Sequence, residues 1–301
     1  MRSWSSRATA CLMALGAVAI FRAAQADDAK PAAPATDNAK PAAAPAQDSG
    51  WQFMAGPYAW ALGITGNLGN GKQQSSVDLS FIDIVQKSDS LIGAEGHAEA
   101  LHQRFGLFFD GIYAKIGASA SQSASNGAAT AKLGADADLQ LAFVEAGAFY
   151  RVVDRYQLWH PAPEVGGGTF SFDVLAGARY TVVDVDVKAN LDINQVAAFK
   201  RDIDGMHDWV DPFIGGRVRF GLADNVDFQL RGDVGGFGVG SAFTWNTQAL
   251  LGYRFTMFGA QAEAWGGYRA LGQDYSEGSG RRDLNWDVVL HGPVLGMSIT
   301  W

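Results

Sequence analysis

From residue 51 to the C-terminus the sequence predicts an all-β fold, an antiparallel transmembrane β-barrel, on three observations. Apolar and polar residues alternate with period two rather than 3.6. The alternating segments run about 12–18 residues, past the ~5–6 usual in soluble sheets and enough to cross a bilayer at a tilt. Connections alternate in length: Gln103-Arg104, Ala223-Asp224-Asn225 and Phe258-Gly259 are tight, whereas 67–88, 119–134, 190–206 and 276–283 are long and polar.

The first 50 residues do not share this pattern. Arg2 and Arg7 precede the mostly apolar run 8–21, and Ala24-Gln25-Ala26 places small residues where a signal peptidase reads. A secretory signal peptide over 1–26 is expected. The single Cys, Cys11, falls inside it, so the exported chain has no disulfide and must be closed by backbone hydrogen bonds. Ala-Lys-Pro-Ala-Ala stands at 29–33 and again at 39–43, so 27–50 reads as an extended, solvated periplasmic linker. No apolar run beyond the N-terminus approaches the ~18 residues of a membrane-spanning helix. With 23 Lys plus Arg against 31 Asp plus Glu, and no basic stripe, nucleic acid is not an expected partner.

Ten strands are expected, near 51–65, 90–103, 105–118, 136–152, 169–188, 208–222, 226–239, 244–257, 260–275 and 284–301, with eight or twelve as alternatives. An even number places both termini and the tight turns on the periplasmic side. Phe243, Trp245, Ala249, Leu251, Tyr253, Phe255 and Met257 alternate with Asn246, Gln248, Arg254 and Thr256, which fixes an apolar outward face there. Two places strain the scheme. The stretch 77–86 is either two half-strands or a short helix folded into the mouth, and 153–168 is long for a periplasmic turn. Parity also demands a bulge near Ala142 if Glu145 is to face inward, and a flip near His291-Gly292-Pro293 if Leu290 and Leu295 are both to face lipid.

Tyr58, Trp60, Tyr113, Tyr180, Trp245, Tyr253, Tyr268, Trp286 and Trp301 fall toward strand ends, as interfacial girdles do, and Phe105, Phe109 and Phe228 are expected against acyl chains. The chain stops on Trp301, with Leu295, Met297, Ile299 and Trp301 on one face and Gly296 six from the end. This resembles the C-terminal assembly signal of bacterial outer-membrane barrels, in which a Gly precedes two alternating apolar residues and a terminal aromatic; Val294 departs from it, a polar residue being usual there. Over 51–301 the chain resembles porin-like outer-membrane proteins in architecture, without a subfamily. The resemblance implies the outer membrane of a Gram-negative bacterium, with membrane lipid, periplasmic chaperones and the barrel-assembly machinery as partners.

Taking the polar faces as inward collects Glu95, His97, Glu99, Asp110, Asp173, Arg179, Asp211, Arg217, Arg219, Arg231, Asp233, Arg254, Glu263 and Arg269, with Asp227 and Asp287. Such a lumen is either a salt-bridged plug or a narrow water-filled passage lined by arginine and acid rows. Ten strands lie near the closed end of the size range. The leading expectation is a narrow passive channel for small polar solutes; the alternative is a closed structural or adhesive barrel acting through loops 117–134 and 183–208. A lipid-modifying enzyme is less favoured. His97, with Glu95 and Glu99 on its face, is the one histidine given carboxylate neighbours by spacing, and no nucleophile is tied to it. No catalytic residue, metal or cofactor is expected. The small-residue rows 94–100 and 260–266 are read as lipid-facing positions or a flat oligomer wall.

Overall fold

The computed structural model describes residues 50–70, 73–125, 130–154, 170–193, 196–278 and 284–301. The expected signal peptide, the linker through residue 49 and most of the 153–168 connection lie outside the described residues. Twelve strands and one helix follow in order: β1 (Trp51–Trp60), β2 (Gly63–Asn70), β3 (Gln73–Leu79), α1 (Phe81–Lys87), β4 (Ser90–His102), β5 (Phe105–Ser125), β6 (Thr130–Asp154), β7 (Phe170–Ile193), β8 (Val196–Ala223), β9 (Val226–Gly235), β10 (Phe243–Met257), β11 (Ala260–Glu277) and β12 (Leu284–Thr300). β1 pairs β4, each later strand pairs its successor, and β12 returns to β1. This closes an antiparallel ring of ten strands, which leaves no free edge along the closed part of the wall.

The two surplus strands arise because β12 carries two partners end to end. Its C-terminal half pairs Met54–Trp60 of β1, and its N-terminal half pairs Gly63–Gly69 of β2, so β1 and β2 follow one edge with Ala61-Leu62 between them. β3 then folds back on β2. The stretch 77–86 therefore holds the end of β3 and most of α1. The helix starts where Ser80 accepts from the Asp83 backbone N–H while the Asp83 carboxylate accepts from that of Ser80, a capping box that satisfies two of the first-turn donors.

Two of the expected polar loops are strand instead. β5, β6, β7 and β8 run 21, 25, 24 and 28 residues, against the ~9–11 that cross a bilayer, so they continue past the membrane as one four-stranded sheet. Along 119–125 of β5 both faces hold Ser, Ala and Gln, so period two fades from the sequence there while the ladder goes on; on β7 it persists, with Val183, Val185, Val187 and Leu191 against Asp184, Asp186, Lys188 and Asp192. In the other direction, the strand expected at 226–239 ends at Gly235. There Gly236, Phe237 and Gly238 all take positive φ (86°, 53° and 76°) and turn the chain inward.

Phe105, Leu107, Phe109, Ile214, Leu230, Leu251, Tyr253, Tyr268 and Leu295 are exposed around the outside. A belt of that size is compatible with hydrocarbon and not with water. The architecture is that of a transmembrane β-barrel. Several sequence assignments need correction. Tyr58, Trp60 and Trp286 are not girdle residues but are buried inside, whereas Tyr180, Tyr253, Tyr268 and Trp301 stay exposed. Asp287 faces out. Neither proposed parity flip exists: β11 and β12 pair without a break, with Leu290 buried inside and Leu295 outside, and Leu139, Leu141, Phe143 and Glu145 share one inward face of β6. The error has one cause, the assumption that apolar residues must face lipid.

The C-terminal segment closes the ring. Phe53 and Trp301 exchange N–H···O bonds of 3.0 Å in both directions, and their rings stack at 6.1 Å. Ile299 lies opposite Ala55 and Ala262. Gly296 sits between the Trp265 ring and Tyr58, where an added Cβ would lie 2.4 Å from the one and 2.7 Å from the other. Gly296→Val should therefore lower the yield of the heat-modifiable folded band on refolding, the overpacking costing about 1–3 kcal/mol. A wild-type yield would mean that the seam has more room than this packing allows.

Candidate functional site

The interior has two layers. Toward the end that carries the tight turns, inward positions of eight ring strands hold charged and amide groups, and β1 adds the Tyr58 hydroxyl. Toward the opposite end, a buried apolar layer gathers Trp60, Ile64, Ile112, Leu141, Phe143, Val183, Trp209, Leu271, Tyr275, Trp286, Val288, Leu290 and Val294. Trp209 and Tyr275 stack at 3.9 Å within it, and β2 and β3 pack Leu68, Val77 and Leu79 against it.

The charged layer is one connected network. Arg151 Nε donates to Asp173 at 2.9 Å, and Arg217 donates to the other oxygen of Asp173 at 2.9 and 3.0 Å while also gripping Glu99. Glu99 lies 2.9 Å from His97 Nε2, and His97 Nδ1 lies 3.2 Å from Asp110. Each ring nitrogen of His97 thus faces a carboxylate, one from its own strand and one from the next. Asp110 accepts from Tyr58 at 2.9 Å and from Arg269 at 3.1 Å. Glu145 then receives Arg269, Arg179 and Arg231, each at 2.8 Å. Arg179 and Arg231 also reach Asp233, which Asn246 ties back to Arg269.

Five arginines thus meet five carboxylates, and the chain of contacts touches every ring strand except β12. Each of four guanidiniums also lies over an aromatic ring: Arg217 on Phe149, Arg179 on Phe213, Arg231 on Phe108 and Arg269 on Trp60, at 4.6–5.1 Å. Arg179 and Asp211 are fully buried, and Glu145 and Asp173 are 1% exposed.

The remaining sequence-predicted residues are placed elsewhere in the interior. Asp211 accepts from the Ser241 N–H and hydroxyl and from Trp209 Nε1, which anchors the inward turn after β9. Arg219 donates to Gln229, and Arg254 donates to the Asp224 carbonyl. Glu263 and Asp227 converge over Gly252, where a Cβ would lie 2.1 Å from the first carboxylate and 2.4 Å from the second. Glu95 stands apart from the network: the second carboxylate on His97 is Asp110 from the neighbouring strand, not Glu95. Sequence reasoning missed Arg151, Tyr58 and Asn246. Counting in twos from Glu145 through Phe149 would have found Arg151.

The chain matches no protein-family model and no curated protein. Among solved structures it is similar to Ail, the attachment invasion locus protein of Yersinia pestis, at 10% identity over 84% of this chain and 99% of that one, with a TM-score of 0.28. It is similar to a Pseudomonas aeruginosa FadL homologue at 10% identity over 83% and 90%, TM-score 0.27. The translocator domain of the autotransporter NalP from Neisseria meningitidis matches at 12% identity over 85% and 90%, TM-score 0.33. Superpositions this loose carry no argument, and the barrel rests on its own ladders.

Because Glu145 accepts from three guanidiniums in a dry interior, Glu145→Gln should destabilise the barrel by about 3–5 kcal/mol in urea unfolding from lipid vesicles. A loss under about 1 kcal/mol would mean that water reaches these arginines.

Proposed function

We propose that the protein is a sealed outer-membrane barrel of a Gram-negative bacterium that acts as a structural or adhesive element through its protruding β5–β8 sheet, rather than as a passive channel. The observation that carries this reading is the filled interior. A solute entering from either end meets a charged layer whose cavity amounts to about 50 Å³, room for little more than water, and an apolar layer stacked on it. A charge-lined passage needs its arginine and acid rows to face each other across water. Here five arginines hold five carboxylates directly, which leaves that network no free charge to select an ion.

The long sheet is what remains for recognition. Its rows place Asp136 opposite Lys188 and Asp138 opposite Asp186, polar groups beyond the ~9–11 residues that cross the bilayer. A hydrolytic role has little support: both nitrogens of His97 are engaged by carboxylates, so neither is available to activate a nucleophile. Lipid is the partner that the outward belt fits, and delivery by periplasmic chaperones and the assembly machinery accords with the Gly296, Ile299 and Trp301 ending.

The test is conductance in a planar bilayer, using protein shown to be folded by heat-dependent gel migration. A silent bilayer in molar KCl is expected; discrete steps of reproducible size would overturn the sealed-barrel reading and restore the channel.

A further inference from the structure

The ring does not close over its full height. β1 pairs β4 only from Trp51–Pro57 to Gly96–His102. Above that, Ser90–Glu95 keep β5 on one side, and among the described residues no ladder joins their other side, because the chain leaves β1 through Ala61-Leu62 to follow β12. β3 ends at Leu79 and α1 crosses to β4 without pairing with it. An unpaired strand edge in the wall of a membrane barrel is costly unless something covers it.

At that gap lies a cavity of about 460 Å³, roughly three times one that accommodates benzene and within the range of small-molecule sites. Inward-facing Trp60, Leu91 and Ile112 line it, with Ile84 of α1, and so does outward-facing Leu295. Residues from both faces of the wall share one cavity, so it passes through the wall toward lipid. The lining is apolar except for Glu95 and the indole N–H of Trp60. Glu95 Oε2 and Trp60 Nε1 are both buried and have no hydrogen-bond partner. Leaving such groups unmatched costs about 1–3 kcal/mol each.

We propose that this cavity is a binding site for a hydroxyl-headed amphiphile, a medium-chain primary alcohol or a molecule of that chemistry, which enters from the bilayer through the gap beside β4. The hydrocarbon body fills the apolar space and covers the open edge. A hydroxyl is the head that suits them, because it can donate, as Glu95 Oε2 requires, and accept, as Trp60 Nε1 requires. Neither half of this assignment depends on whether the lumen conducts.

The experiment uses the full barrel in lipid vesicles and follows quenching of tryptophan fluorescence by 2-bromo-1-decanol, whose bromine lies beside the hydroxyl, with 1-bromodecane as the probe lacking a head. The expected result is a saturable component with 2-bromo-1-decanol, displaced by excess 1-decanol and absent in Trp60→Phe. Glu95→Leu should weaken it about tenfold, the worth of one buried hydrogen bond, and Ala114→Phe, which fills the cavity, should abolish it while the gel shift of the folded barrel persists. Quenching that rises without saturation and is equal in wild type and Ala114→Phe would reflect partition into bulk lipid and overturn the site. Saturable binding of 1-bromodecane as tight as that of the alcohol would overturn the assignment of the head.

Discussion

Pairing of buried charge is the constraint on which the rest of this barrel depends. Arg179, Arg231 and Arg269 converge on Glu145 in a space with almost no room for water. An ion stripped of water costs several kcal/mol unless its partners are in place. Those partners come from β4, β5, β6, β7, β8, β9 and β11, strands far apart in the chain. A slip of one residue in any of them would turn its charge outward into hydrocarbon. The network therefore sets the register of the whole ring as firmly as the ladders do, and it is satisfied only when the ring is complete.

Closure at Phe53 and Trp301 is the other half of the same condition, since Tyr58 on β1 reaches Asp110 only when β1 is held against both β4 and β12. The apolar layer above the charges has a separate consequence. Trp286, Leu290 and Phe143 exclude water from the network on one side, which strengthens each ion pair and seals the axis of the barrel. The wall gap beside β4 is where this arrangement ends: β1 diverges to support β2 and β3, which supply part of the apolar layer, and β4 is left with an open edge. Sealing the lumen and opening the wall are thus two results of one choice of path at Ala61-Leu62.

The barrel, its ten-stranded ring and the inward side of most charged residues were legible in the sequence, because alternation on β8 to β11 is clean: Asp211, Arg217, Arg231, Asp233 and Arg269 lie on polar faces next to unambiguous apolar ones. The legibility failed where the interior is itself apolar. Leu141, Phe143, Trp286 and Leu290 look like lipid-facing residues by type, and only their parity with Glu145 or Val288 shows that they point inward. It failed again where neither face is distinctly apolar, as along 119–125. Ion-pair partners were out of reach for another reason: they are set by shear around the ring, so His97 meets Asp110 of β5 rather than Glu95 of its own strand.

The most direct test of a dry, ion-paired network is exchange of the arginine side-chain protons with water, followed by nitrogen-15 NMR on the barrel in lipid nanodiscs. The Nε–H signals of Arg179 and Arg269, donated to Glu145 and Asn246, are predicted to persist with exchange slower than that of free guanidinium by orders of magnitude. Exchange of both as fast as free arginine would place water throughout the network and contradict the sealed barrel.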